Sequence, residues 1–177
     1  WLPMADLAAP ALKQLSSKQQ ILFAQLLSGV AKSDSVITRF EWVLVSVIQK
    51  HLANNVINKV SKRANKKLNS LKPDVIAVLG SLAYSGAKSQ NEAVNAFKIG
   101  IKETGFNSVK MPSVQECGVE ELHGSLQKLE TLLFTEKQRF LQACELCVEH
   151  DGMVTVAEAE TIRAIGDVLD CPIPMFG

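Results

Sequence analysis

Cys144, Cys147 and His150 follow one another at i, i+3 and i+6, two thiols and an imidazole of the kind that hold zinc, with Cys117 and Cys171 available to complete a set. Immediately after them, His150-Asp151-Gly152-Met153-Val154-Thr155-Val156-Ala157-Glu158 resembles the second half of a calcium loop: an Asp, a Gly for the sharp turn, an apolar residue and a Glu seven positions after the Asp. The first half does not comply, because Cys147 and Glu149 stand where such a loop opens with oxygen ligands. Other chemistry is harder to assemble. The three histidines, His51, His123 and His150, form no H-E-x-x-H and flank no recognisable nucleophile, and no Gly-rich phosphate loop is present. The C-x-x-C of Cys144 and Cys147 falls in the middle of an apolar periodic segment, away from the helix N-terminus that lowers a thiol pKa.

The elements that must carry these residues are helices. Ser/Thr-x-x-Glu/Gln lets a hydroxyl and a carboxyl or amide satisfy backbone N–H groups reciprocally at a helix start. It occurs at Ser16 to Gln19, Thr38 to Glu41, Ser89 to Glu92, Ser113 to Glu116, Thr135 to Gln138 and Thr155 to Glu158. Pro73 marks another start, where its missing N–H costs nothing, and Met4 to Leu15 forms a short further candidate. Apolar residues recur near every 3.6 positions in Phe23, Leu26, Leu27 and Val30, in Val45, Ile48 and Leu52, and in Phe140, Cys144, Cys147 and Val148. Strict alternation is nowhere long enough for a sheet. The expected fold is all-α, with about seven to eight helices.

The chain also resembles itself. An offset of 117 lays residues 23–52 on 140–169 and matches Phe23 with Phe140, Gln25 with Gln142, Asp34 with Asp151, Thr38 with Thr155, Glu41 with Glu158, Ile48 with Ile165 and Leu52 with Leu169. Average composition supplies about two such identities by chance. In the first copy Leu27 and Val30 replace Cys144 and Cys147, so these thiols read as small core hydrophobes. The expected organisation is one all-helical domain, 1–177, with a pseudo-repeat at 16–52 and 135–169 flanking a middle helical region at 73–132, the outer helical pairs enclosing a middle pair. Each copy is a helix, an acidic turn and a capped second helix that cannot bury its apolar faces alone.

Charge is unevenly spread. Residues 1–115 hold 15 Lys and Arg against 6 Asp and Glu, and residues 116–177 hold 4 against 12, so the halves are +9 and −8. Lys59, Lys62, Arg63, Lys66, Lys67 and Lys72 make a basic stretch without an aromatic residue for base stacking, which excludes nucleic acid and leaves a solvated face or an anionic lipid surface. No apolar run reaches bilayer length and no signal peptide is evident, so a soluble piece is expected. Its first residues, Trp1-Leu2-Pro3, suggest a domain excised from a larger protein. Four scattered cysteines fit a reducing compartment.

Asp151-Gly152-x-Val154-Thr155-x-x-Glu158-Ala159-Glu160-x-Ile162-Arg163-Ala164-Ile165, then Leu169-Asp170-Cys171-Pro172-Ile173-Pro174, resembles the C-terminal tail of bacterial HtpX-like membrane zinc metallopeptidases. Leu2-Pro3-x-x-Asp6-Leu7-Ala8-x-Pro10-Ala11-Leu12-x-x-Leu15-Ser16 is similar to the segment after their membrane-embedded catalytic part, and Leu79-x-x-Leu82-Ala83-Tyr84-Ser85-Gly86 and Ala93-x-x-Ala96-Phe97-x-x-Gly100 fit between. The resemblance implies a non-catalytic C-terminal regulatory or interaction domain on the cytoplasmic side of the inner membrane. The parent would be a zinc endopeptidase in membrane-protein quality control, with its zinc ligands outside this chain. Partners would be its own catalytic membrane domain or protein substrates, with the basic stretch facing anionic lipid. The paired turns also resemble TerB-like domains, whose acidic turns are associated with divalent cations. That alternative carries over to Asp34, Glu41, Asp151 and Glu158, although the chain departs from the pattern at Val30, Lys32 and Cys147. No cofactor and no metal are expected in this piece.

Overall fold

The computed structural model describes residues 64–171 and 14–31 continuously, together with 7, 10–12, 41–43, 45, 46 and 48. Backbone packing divides the chain into two compact units, Trp1–Lys62 and Arg63–Gly177. The fold is all-α, as the capping signals require. Among the described residues there is no strand, and no helix is long and apolar enough to cross a membrane.

In the first unit, α1 spans Ser17–Ala31. Its entrance is the expected capping box: Gln19 Oε1 accepts from the Ser16 N–H at 2.9 Å and the Ser16 hydroxyl at 2.8 Å. Positions 41–43, 45, 46 and 48 are helical as well, while Asp34 and the Thr38 cap lie outside the described residues. Shifted by 117, the bounds of α1 fall end for end on those of a second 15-residue helix, Phe134–Val148. The two are nonetheless buried differently. Leu26, counted in the apolar stripe, is 60% exposed, and Phe23 is half-buried where Phe140 is fully enclosed.

The second unit holds a 3₁₀ turn at Leu68–Leu71, then α2 (Lys72–Gly86), α3 (Gln90–Thr104), α4 (Val119–Leu129), α5 (Phe134–Val148) and α6 (Val156–Val168). Pro73 lies in the first turn of α2, and Asp74 beside it accepts from Lys128 Nζ at 2.8 Å, tying α2 to the end of α4. Helical spacing collects the buried side chains on one face of each helix: Val75, Val78, Leu79 and Leu82 on α2, Ala93, Ala96, Phe97 and Gly100 on α3, Leu122, Leu126 and Leu129 on α4. On α5 and α6 the same face holds Phe140, Cys144, Cys147, Ile162 and Ile165. The broadest packing is α3 on α5, with α2 laid against α3 and α4. The α3–α5 pair is antiparallel, because Arg139 Nε donates to the Glu103 carbonyl at 2.9 Å while His150, at the other end, faces Glu92. Gly100 permits this approach: a Cβ there would stand 2.8 Å from the Ala143 carbonyl oxygen and 2.9 Å from Cys147 Cβ.

Two expected helix starts are corrected. Ser113 and Glu116 do pair, with Glu116 Oε2 accepting from the Ser113 N–H at 2.8 Å, but they open a 3₁₀ turn at Val114–Cys117, and α4 begins only at Val119. Thr135 caps nothing, since α5 starts at Phe134 with Leu133 as its N-cap residue. Tertiary contacts decide that entrance. The Asn65 and Lys66 N–H groups both donate to the Thr131 carbonyl at 3.0 Å, Leu133 N–H donates to the Lys66 carbonyl at 2.9 Å, and Glu136 Oε2 accepts from the Leu68 N–H at 3.3 Å. Thr155 keeps its full box: Glu158 Oε2 accepts from the Thr155 N–H at 2.8 Å and hydroxyl at 2.7 Å, and Thr155 Oγ1 accepts from the Glu158 N–H at 3.3 Å. Thr155→Ala is expected to lower the unfolding free energy by about 0.5–2 kcal/mol in urea titration, with Thr155→Ser restoring most of the loss.

Candidate functional site

The antiparallel pairing brings the N-terminus of α3 against the C-terminal end of α5. At α3, Ser89 Oγ accepts from the Glu92 N–H at 3.3 Å, but Glu92 does not return the bond to Ser89: its Oε2 accepts from the Lys88 N–H at 2.6 Å. Oε1 is left to face the neighbouring helix. There α5 runs into a 3₁₀ turn, Glu149–Asp151, closed by Gly152 at φ +76°, the left-handed region that glycine occupies without strain. Asp151 Oδ1 accepts from the Met153 N–H at 3.0 Å and fixes the corner.

Between these ends, Glu92, His150 and Asp151 converge, one ligand atom of each within 4.8 Å of the others. His150 Nε2 stands 3.8 Å from Glu92 Oε1, beyond hydrogen-bonding reach. The His150 side chain is only 8% exposed, and neither ring nitrogen has a hydrogen-bond partner in the protein. An unsatisfied polar group of this kind costs about 1–3 kcal/mol, so the arrangement calls for a reason. Asn95, Lys98 and Ile99 complete the wall of a shallow cavity of about 530 Å³.

Of the residues singled out in the sequence, Asp151 belongs to this group and Glu158 does not. Glu158 is buried, its carboxylate is taken up by the Thr155 cap, and its Oε1 lies against Gly86. Glu41 is half-buried in the first unit. The thiols part from His150: Cys144 and Cys147 lie in the core, where Cys147 Sγ donates to the Leu79 carbonyl at 3.8 Å. Burial pushes the Cys144 thiol well above its ordinary range, helped by Cys147 and Glu145. Burial, then the charge of Glu158, pushes Cys147 up to about 12. Such thiols stay protonated at neutral pH. In the basic stretch, Lys66 and Lys67 are exposed, and Lys59, Lys62 and Arg63 lie outside the described residues. Glu92 was visible in the sequence only as a cap partner. Nothing local ties it to His150, because the α3–α5 pairing alone brings them together.

A second feature lies along α2. The segment before the Val114–Cys117 turn rides on the helix at Gly80, where a Cβ would stand 2.7 Å from both Pro112 Cγ and Cys117 Sγ. Tyr84 Oη donates to the Pro112 carbonyl at 2.9 Å and pins the segment. Beside it runs a groove of about 880 Å³, with Ile76, Ala77, Met111, Pro112 and Val114 offering apolar surface and Lys72, Lys110 and Glu116 charged groups. Lys72 Nζ lies 5.2 Å from the centroid of the Phe106 ring. Hydrogen bonds from the Ser113 side chain and backbone, and then the charge of Lys110, hold the Glu116 carboxyl below its ordinary range.

No family model, no curated protein and no solved structure matches the chain.

Proposed function

We propose that the chain is a non-catalytic regulatory or interaction domain, of the kind its resemblance to the C-terminal region of HtpX-like membrane zinc metallopeptidases implies, and that it holds a segment of its partner in the groove beside Gly80. The groove carries the reading. Its volume, about 880 Å³, lies within the range of formed ligand sites, and its mainly apolar lining with Lys72, Lys110 and Glu116 among it suits a peptide. The remaining chemistry agrees with a scaffold: the thiols of Cys144 and Cys147 are held protonated in the core, and the hydroxyls of Ser16, Ser89 and Thr155 serve helix starts. The partner is the membrane-embedded part of the peptidase. The exposed Lys66 and Lys67 face the anionic cytoplasmic leaflet near that anchor.

The test uses the purified chain and the detergent-solubilised membrane part of the peptidase, expressed as a separate polypeptide. The chain is expected to bind that part and, alone, to hydrolyse neither it nor casein. Ile76→Glu, which places a charge among the apolar lining residues, is expected to weaken binding about tenfold or more with far-UV circular dichroism unchanged. Hydrolysis by the pure chain, or binding indifferent to both Ile76→Glu and Val114→Glu, removes the reading.

A further inference from the structure

We propose that Glu92, His150 and Asp151 form a binding site for a divalent transition cation of the zinc class. The donor set is one imidazole nitrogen and two carboxylates, with their ligand atoms already within 4.8 Å of one another. That combination suits zinc and its first-row neighbours. Calcium and magnesium prefer all-oxygen shells with more ligands or with retained waters.

Two details of the geometry separate this group from a chance gathering of surface charge. The first is His150, more than nine-tenths buried by its side-chain exposure of 8%, facing the Glu92 carboxylate with both nitrogens unpartnered. Its Nε2 to Glu92 Oε1 separation of 3.8 Å is too long for a hydrogen bond. Two ligands at zinc bond lengths on a tetrahedral ion lie about 3.4 Å apart, so this pair closes by a few tenths of an ångström on binding, and the Asp151 oxygen closes from within 4.8 Å. The second detail is the anchoring of the carboxylates. Glu92 Oε2 is held by the Lys88 N–H and Asp151 Oδ1 by the Met153 N–H, each at hydrogen-bonding distance, leaving one oxygen of each acid for the ion. Backbone donors behind the ligands are the kind of outer support that orients a metal site.

Lys98 lines the same cavity, and its positive charge offsets one of the two carboxylates. A divalent ion therefore meets a cavity of net charge near −1, which places the affinity below that of structural zinc sites built from several thiolates. Three protein ligands leave a coordination position for water or for a partner's side chain. The cation would tie the start of α3 to the turn after α5 and relieve the unsatisfied imidazole.

Chain stripped with chelator and kept reduced is titrated calorimetrically with ZnCl₂, CaCl₂ and MgCl₂. One zinc per chain is expected, with a rise in thermal midpoint that calcium and magnesium do not reproduce. His150→Gln and Glu92→Gln, the second of which retains an oxygen for the Lys88 N–H, are each expected to weaken zinc binding about tenfold or more while circular dichroism stays unchanged. Cobalt(II) should give a visible spectrum of nitrogen and oxygen ligands. No zinc-dependent heat or thermal shift overturns the proposal. So does zinc binding undiminished in both variants, or a cobalt–thiolate charge-transfer band, which would assign the metal to the cysteines. Peptide docking in the groove is untouched by any of these results.

Discussion

Phe140→Ala is expected to lower the free energy of unfolding by about 3–5 kcal/mol, near the top of the range for a core truncation. Phe140 is fully enclosed on α5, the helix that packs most broadly against α3. The cost of such a hole depends on whether its walls can close in. Here the backbones already meet: a Cβ on Gly100 would stand 2.8 Å from the Ala143 carbonyl oxygen, so the α3–α5 pair has little room to collapse. Urea titration checks this, with an unchanged m-value marking a true stability loss. The repeat supplies an internal control. Phe23 occupies the equivalent place in α1 but is only half-buried, so Phe23→Ala should cost clearly less. Equal losses would mean that the two copies bury this ring alike.

That contrast marks how far the sequence could be read. Helix starts are local events, and Ser16, Ser89 and Thr155 all place a hydroxyl on the expected backbone N–H. Thr135 fails because residues 65 and 66 pair with 131–133 and set the start of α5 from outside it, a contact no window of neighbouring residues contains. The 117-residue offset carries α1 onto α5 end for end. Burial is another matter, since it depends on what packs against the face. The candidate site divides in the same way. Asp151 and Gly152 were legible as a turn because an Asx side chain and a left-handed glycine act within a few residues. The partnership of Glu92 with His150 was hidden, since it exists only once Gly100 has let two distant helices lie antiparallel. The spacing of Cys144, Cys147 and His150 does not show what burial does: the two thiols lie in the core, while the imidazole faces Glu92.

Unfolding is expected to become easier in alkali because of the buried thiols, and the sign follows from proton binding. Cys147, ordinarily near 9.0, is raised in the folded chain to about 12, first by burial and then by Glu158. Cys144 moves the same way. Below pH 9 both folded and unfolded chains keep these protons and the stability is unaffected. Above it the unfolded chain releases them while the folded chain cannot, so the unfolded state binds fewer protons and unfolding becomes easier as pH rises. Each thiol contributes a slope of about −1.4 kcal/mol per pH unit until it ionises in the folded state, which for Cys147 amounts to about 4 kcal/mol across its window. Urea titrations under reducing conditions between pH 7.5 and 10.5 should show a plateau that gives way to this decline. Cys147→Ala should flatten the decline by about one thiol's share, even though it lowers the plateau itself by leaving a small cavity. The same slope in both proteins would mean that Cys147 is open to solvent, and the core assignment of the pair would fall with it.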